Sequence, residues 1–137
     1  MTVAQVMTSS PVQAPDDISA DDALHGYVLA SRHSTFPTHD ASGRLSGLLT
    51  LTALKNVAAG ARPTTLIRQI ICPLDKVSTV SPADPITDLL AVSDGCSEGR
   101  TLVLDGGRLV GVISPSDINR LLQTSVSGRS LVSAGSV

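Results

Sequence analysis

The stretch Gly43-Arg44-Leu45-Ser46-Gly47-Leu48-Leu49-Thr50 returns later in the chain as Gly107-Arg108-Leu109-Val110-Gly111-Val112-Ile113-Ser114, at a constant offset of 64. Gly, Arg, Leu, Gly and a closing hydroxyl hold their places in both copies. Asp40 and Asp105 precede the two turns, with one residue fewer in the second. Upstream, Ala14-Pro15-Asp16 resembles Ser81-Pro82-Ala83-Asp84, each after a short extended stretch. A chain that repeats itself is a pair of equivalent supersecondary units, and neither unit of this size buries much alone.

Each copy reads in the same order. A short extended piece, residues 11–14 or 77–80, leads into an acidic helix start. Asp16, Asp17, Asp21 and Asp22 crowd the first turns, where carboxylates favour the positive end of the helix dipole. Leu24, Tyr27 and Val28 give that helix its apolar stripe; Ile86, Leu89, Leu90 and Val92 do so in the second copy. A hairpin follows, residues 35–39 with 45–50, matched by 100–104 with 109–114 across the turn Asp105-Gly106-Gly107. A second helix closes each copy, near residues 51–59 and 115–123. The fold class is α+β: two β-α-β-β-α repeats packed about a pseudo-twofold axis, with equivalent clefts between them. Residues 1–60 form the first repeat, and 61–124 a linker helix (64–70) and the second; 125–137, rich in Ser, Gly and Val, form a disordered tail.

Composition narrows the function. Hydrophobic residues are 42% of the 137, aromatic residues only 1%, so the core must be aliphatic. A net charge of −2 gives no cationic surface for nucleic-acid phosphates, and the chain lacks aromatic stacking platforms for single strands. No apolar run approaches the roughly 18 residues of a membrane span, and residues 1–7 lack a signal peptide's features. These features place the chain in the cytoplasm without direct membrane insertion, alone or as the cytoplasmic part of a membrane protein. Cys72 and Cys96 show no metal-ligand spacing; two reduced, partly buried thiols are the expectation, with a disulfide open on parity alone. His25, His33 and His39 match no metal signature and read as surface or packing residues.

Val6-Met7-Thr8 with Pro11-Val12, then His33 to Pro37 with Gly47 to Thr50, resembles a CBS domain. Gly111-Val112-Ile113-Ser114-Pro115-Ser116-Asp117 resembles that family's closing motif, and the likeness covers about residues 3–123. The resemblance implies a Bateman module: a regulatory pair that binds AMP, ADP, ATP or S-adenosylmethionine between its repeats, forms a homodimer and controls an attached effector. No cofactor is required, and the chain is not an enzyme in its own right. The phrasing of residues 32–37 and 111–117 also resembles the cytoplasmic CBS region of bacterial site-2 intramembrane metalloproteases, although the zinc-binding protease motif is not present here.

On this sequence the family's roles fall on Ser114, for phosphate or ribose, and Asp117, for the two ribose hydroxyls; a carboxylate accepts both protons in strong charge-assisted bonds. Ser116, Ser78, Thr79, Arg100 and Leu102 are candidate neighbours. A structural reading of the same residues stays open: Ser114-Pro115-Ser116-Asp117 is also a good helix start, with Ser as cap and an acid at the third position. The first copy has Ala53 where the acid should be, which predicts one site near Asp117 and a degenerate cleft near Ala53. The competing function is a ligand-free dimerisation or docking module.

Overall fold

The computed structural model describes residues 2–31, 33–91, 95–120 and 122–123. The segment read as a disordered tail and Val92 of the second apolar stripe lie outside them.

Eight strands form two four-stranded sheets of matching design. Strands β1 (Thr8–Ser9), β6 (Ser78–Val80), β7 (Thr101–Asp105) and β8 (Arg108–Ile113) make one, in the order β1-β8-β7-β6. Strands β2 (Ala14–Pro15), β3 (Thr35–His39), β4 (Leu45–Thr50) and β5 (Cys72–Pro73) make the other, in the order β2-β3-β4-β5. Each sheet holds one repeat's hairpin and, outside it, a two-residue strand from the other half of the chain. Thr8 pairs with Val112, and Cys72 with Leu48, both antiparallel. Since 48 and 112 are equivalent positions, Cys72 occupies in one sheet the place of Thr8 in the other.

The hairpin turns follow their residues. Gly106 and Gly107 have φ of 62° and 84°, the mirror-image turn that matches strand twist and that two glycines adopt without strain. In the longer first turn the Asp40 carboxylate accepts from the backbone N–H of Ser42 and of Arg44, at 2.8 and 3.0 Å. Gly47 and Gly111 answer a different need: the exchanged strand passes so close that a Cβ on Gly47 would strike the Cys72 carbonyl oxygen. On Gly111 it would meet the Met7 side chain.

Helices are shorter than the periodicity suggests. Helix α1 (Ala20–Ala23) starts where the Ser19 hydroxyl accepts from Asp22 N–H, with Asp21 and Asp22 in its first turn, and runs into one π-turn (Leu24–Val28). Asp16 and Asp17 therefore lie in the turn ahead of the helix. Helix α2 (Leu51–Lys55) stops four residues early, and the expected linker helix is a single 3-10 turn, Ile67–Gln69. In the second repeat, Ile86–Ala91 is a 3-10 turn and residues 115–120 form helix α3. None of the helices among the described residues is long and apolar enough to cross a membrane.

The core is aliphatic apart from Phe36, which Tyr27 meets edge-on at 5.8 Å. Ala20, Ala23, Leu49, Leu54 and Ile67 pack around Phe36 in the first repeat; Val3, Leu89, Val103 and Ile113 fill the second. A third cluster of Leu48, Cys72, Val77 and Leu102 joins the two sheets at the pseudo-twofold axis.

Candidate functional site

Because strand β1 crosses over, the cleft beside Asp117 is walled by both repeats. The cavity holds about 320 Å³, at the small end of the range for ligand sites. Residues Thr8 to Val12 form one wall, His33 to Thr35 with Pro37 another, and Val112, Ser114 and Asp117 the third. Pro37 can sit in a central strand because β2 pairs only as far as Thr38, so no neighbour needs the N–H that proline lacks. Arg100, entering β7, completes the lining.

The polar groups fall into an acidic and a basic pole. Ser114 and Asp117 make a closed cap on α3. Ser114 N–H and hydroxyl both donate to Asp117 Oδ2, at 3.0 and 3.1 Å, and Asp117 N–H donates back to Ser114 Oγ at 3.3 Å. Arg120 donates to Oδ1 at 2.8 Å. The guanidinium of Arg100, 21% exposed, donates to the Glu98 carbonyl at 3.2 Å, lies 3.6 Å from the Glu98 carboxylate, and reaches Ser34 Oγ at 3.4 Å. Its Nε is buried with no hydrogen-bond partner. Ser10 and Glu98, the two non-glycine residues with positive φ among those described, lie on the cleft wall and on the loop carrying Arg100. Backbone strain of this kind collects at binding sites.

Of the residues singled out in the sequence, Ser114, Asp117 and Arg100 meet in this cleft. Ser116 is exposed on α3. Ser78 and Thr79 lie on β6, at the sheet edge far from β1 and in parallel register with Thr101 and Leu102. Leu102 is fully buried in the cluster joining the sheets. The wall from Thr8 to Val12, with His33 and Ser34, takes the place expected of β6, because the strand that borders Asp117 comes from the opposite repeat. His33 packs its ring edge-on against Phe36 at 6.1 Å. Among the described residues no group of acids, histidines and cysteines could hold a metal ion.

The equivalent positions at α2 and β5 differ from those of the cleft at two places. Thr50 caps α2 by accepting from Ala53 N–H at 3.2 Å, but Ala53 brings no carboxylate. Where Thr8 stands in the first cleft, Cys72 is joined to Cys96 by a disulfide, with the Cα atoms 5.5 Å apart. This corrects the expectation of two reduced thiols. Their separation of 24 residues gives no hint of contact; the exchanged strand β5 brings Cys72 to the loop ahead of β7.

Comparison with known proteins follows this geometry. Residues 67–124 match the family model described as "CBS domain". Solved CBS pairs share the architecture across nearly the whole chain: the CBS domain pair of protein MJ0100, in complex with 5-methylthioadenosine and S-adenosyl-L-methionine, superposes with a TM-score of 0.74 at 22% identity, covering 91% of this chain and 98% of that one. Residues 67–124 are a CBS domain, and the chain as a whole has the fold of solved CBS pairs. The CBS-domain protein ATU1752 of Agrobacterium tumefaciens is similar with a TM-score of 0.73 at 22% identity, covering 87% and 91% of the two chains. In sequence the CBS pair is 40% identical over 121 residues to the Mycobacterium tuberculosis protein named "Putative zinc metalloprotease Rip3". The match takes in 88% of this chain and 31% of the relative, so the pair spans under a third of the protein it resembles.

Proposed function

We propose that this CBS pair is a regulatory module that binds one adenosine-containing ligand (AMP, ADP, ATP or S-adenosylmethionine) in the cleft at Asp117 and thereby controls an attached effector. The observation that carries the reading is the meeting of a carboxylate and a guanidinium, contributed by different elements, in one cavity walled by both repeats. Asp117 accepts the ribose hydroxyls once Arg120, 72% exposed and free to swing, leaves Oδ1. Ser114 Oγ adds a further polar contact. Arg100 and its unpartnered Nε meet the phosphate or carboxylate end of the ligand. Val12, Pro37 and Val112 supply aliphatic faces for the adenine, in a chain whose aromatic residues are one Tyr and one Phe. The adenosine compounds in the MJ0100 structure support the ligand class. The relative's name supports a zinc-metalloprotease effector; the pair acts on its cytoplasmic side. The pair regulates and does not catalyse, and it works as a homodimer.

The second reading, a ligand-free docking module, draws on one specific fact: both carboxylate oxygens of Asp117 are already occupied by its own cap and by Arg120. Thermal unfolding with each of the four ligands separates the two. A ligand at a hundred times its Kd stabilises the fold by about 2.7 kcal/mol, a rise of several degrees that Asp117→Ala abolishes. If none of the four raises Tm and sedimentation shows a tight dimer, the docking reading replaces the sensor.

A further inference from the structure

The Cys72–Cys96 disulfide ties a short strand at a sheet edge to the turn ahead of β7. Cys72 lies on β5, a two-residue strand at the edge of its sheet. Cys96 lies in the turn 95–99, whose internal backbone bonds are Glu98 N–H to Gly95 O at 3.3 Å and Arg100 N–H to Ser97 O at 3.1 Å. That turn positions Arg100: Glu98 holds the guanidinium through both its carbonyl and its carboxylate. The bond therefore anchors, four residues upstream, the arginine that lines the cleft among the described residues. The two cysteines are unequally placed, Cys72 being 4% exposed and Cys96 exposed.

We propose that this disulfide is a reversible redox brace on the turn 95–99 and sets how firmly Arg100 is held in the cleft. The inference rests, for its effect on ligand, on the sensor reading above; its effect on the turn does not. In the reaction an external thiolate attacks the sulfur of Cys96, the exposed residue of the two, forming a mixed disulfide and releasing the Cys72 thiolate. A second external thiol then displaces Cys96 and leaves as the external disulfide. The protein gains two electrons and two protons, and two external thiols become one disulfide. Disulfides in a reducing cytoplasm are characteristically transient and redox-sensing, which fits a bond with one of its two residues at the surface. With Cys72 freed, the turn loses its covalent tie to β5 and keeps its internal bonds and the packing of Ser97, so Arg100 is held less firmly.

The test uses the whole 137-residue chain, purified without reductant and compared before and after dithiothreitol. No free thiol is expected before treatment and two after it. The amides of Glu98 and Arg100 should exchange hydrogen roughly tenfold faster after reduction, while the β7–β8 pairing keeps its protection. The double variant Cys72→Ser/Cys96→Ser should show the fast exchange and ignore dithiothreitol. Two free thiols in the untreated chain, or unchanged exchange on reduction, overturns the proposal. ATP titrated into both forms should bind roughly tenfold more weakly to the reduced one, and equal affinity overturns the coupling to the cleft. If the turn responds but none of AMP, ADP, ATP and S-adenosylmethionine binds either form, the brace is supported and the sensor reading fails.

Discussion

Replacing Gly47 and Gly111 separately by Ala compares two equivalent positions whose surroundings differ in one respect. Each glycine lies on a hairpin strand where the exchanged strand crosses. At Gly47 the new Cβ runs into the carbonyl oxygen of Cys72 and approaches its carbon at 3.2 Å. That is backbone, and the disulfide on Cys72 keeps it from retreating. At Gly111 the first obstacle is the Met7 thioether, an unbranched side chain that can change rotamer, with the Thr8 carbonyl oxygen at 3.1 Å behind it. Overpacking a filled interior costs about 1–3 kcal/mol; Gly47→Ala belongs at about 3 and Gly111→Ala at about 1. For a chain of this length, roughly 3 °C of Tm is lost per kcal/mol, so the drops should be about 9 °C and about 3 °C. Circular dichroism melts of the two variants, backed by urea midpoints with unchanged slope, read the difference directly. Equal losses, or a larger one at Gly111, would refute the argument that immovable backbone sets the cost.

Reducing the disulfide should lower unfolding stability by about 3 kcal/mol, from the loop-closure entropy of a crosslink spanning 24 residues, as read by urea denaturation with and without dithiothreitol. Ala53→Asp restores at α2 the acid that Asp117 supplies to α3; a completed capping box should add about 0.5–1 kcal/mol in the same assay. Phe36→Ala empties the largest buried side chain of the first repeat, at about 3–5 kcal/mol. That is enough to leave much of the chain unfolded at 37 °C, visible as lost cooperativity in the melt. Arg120→Ala removes an exposed partner of Asp117 and should change stability by less than about 1 kcal/mol; a Tm loss above 5 °C would show that the pair matters structurally.

Both hairpins were legible because their evidence is local: a repeated glycine-bounded motif and turns whose residues dictate their geometry, as at Gly106-Gly107. The cap at Ser114–Asp117 was legible for the same reason, and the structure adds Arg120 to it. Helix lengths were overestimated, because the apolar stripe of a short amphipathic turn looks like that of a longer helix. Leu51 onward is an example, ending at Lys55. The exchanged strands were not legible. Thr8–Ser9 and Cys72–Pro73 have two residues each, too few for any alternation to show, and their partners are about a hundred and about 25 positions away. From that one gap came the assignment of Ser78, Thr79 and Leu102 to a cleft that Thr8 to Val12 and His33 line, and the expectation of free thiols. The offset of 64 that relates the hairpins also relates Thr8 to Cys72, and so held a hint of the equivalence.

The exchange of β1 and β5 makes each repeat lean on the other's backbone. Cutting the chain between the halves would not yield two small domains. It would bare the edge of β8, which normally receives Thr8–Ser9, and the edge of β4, which normally receives Cys72–Pro73. A bare edge is a template for any strand that fits, and the best fit is the missing strand on another molecule. Separated halves should therefore trade strands between chains, into reciprocal dimers or longer runs, and the intact chain should lose both sheets in one cooperative step.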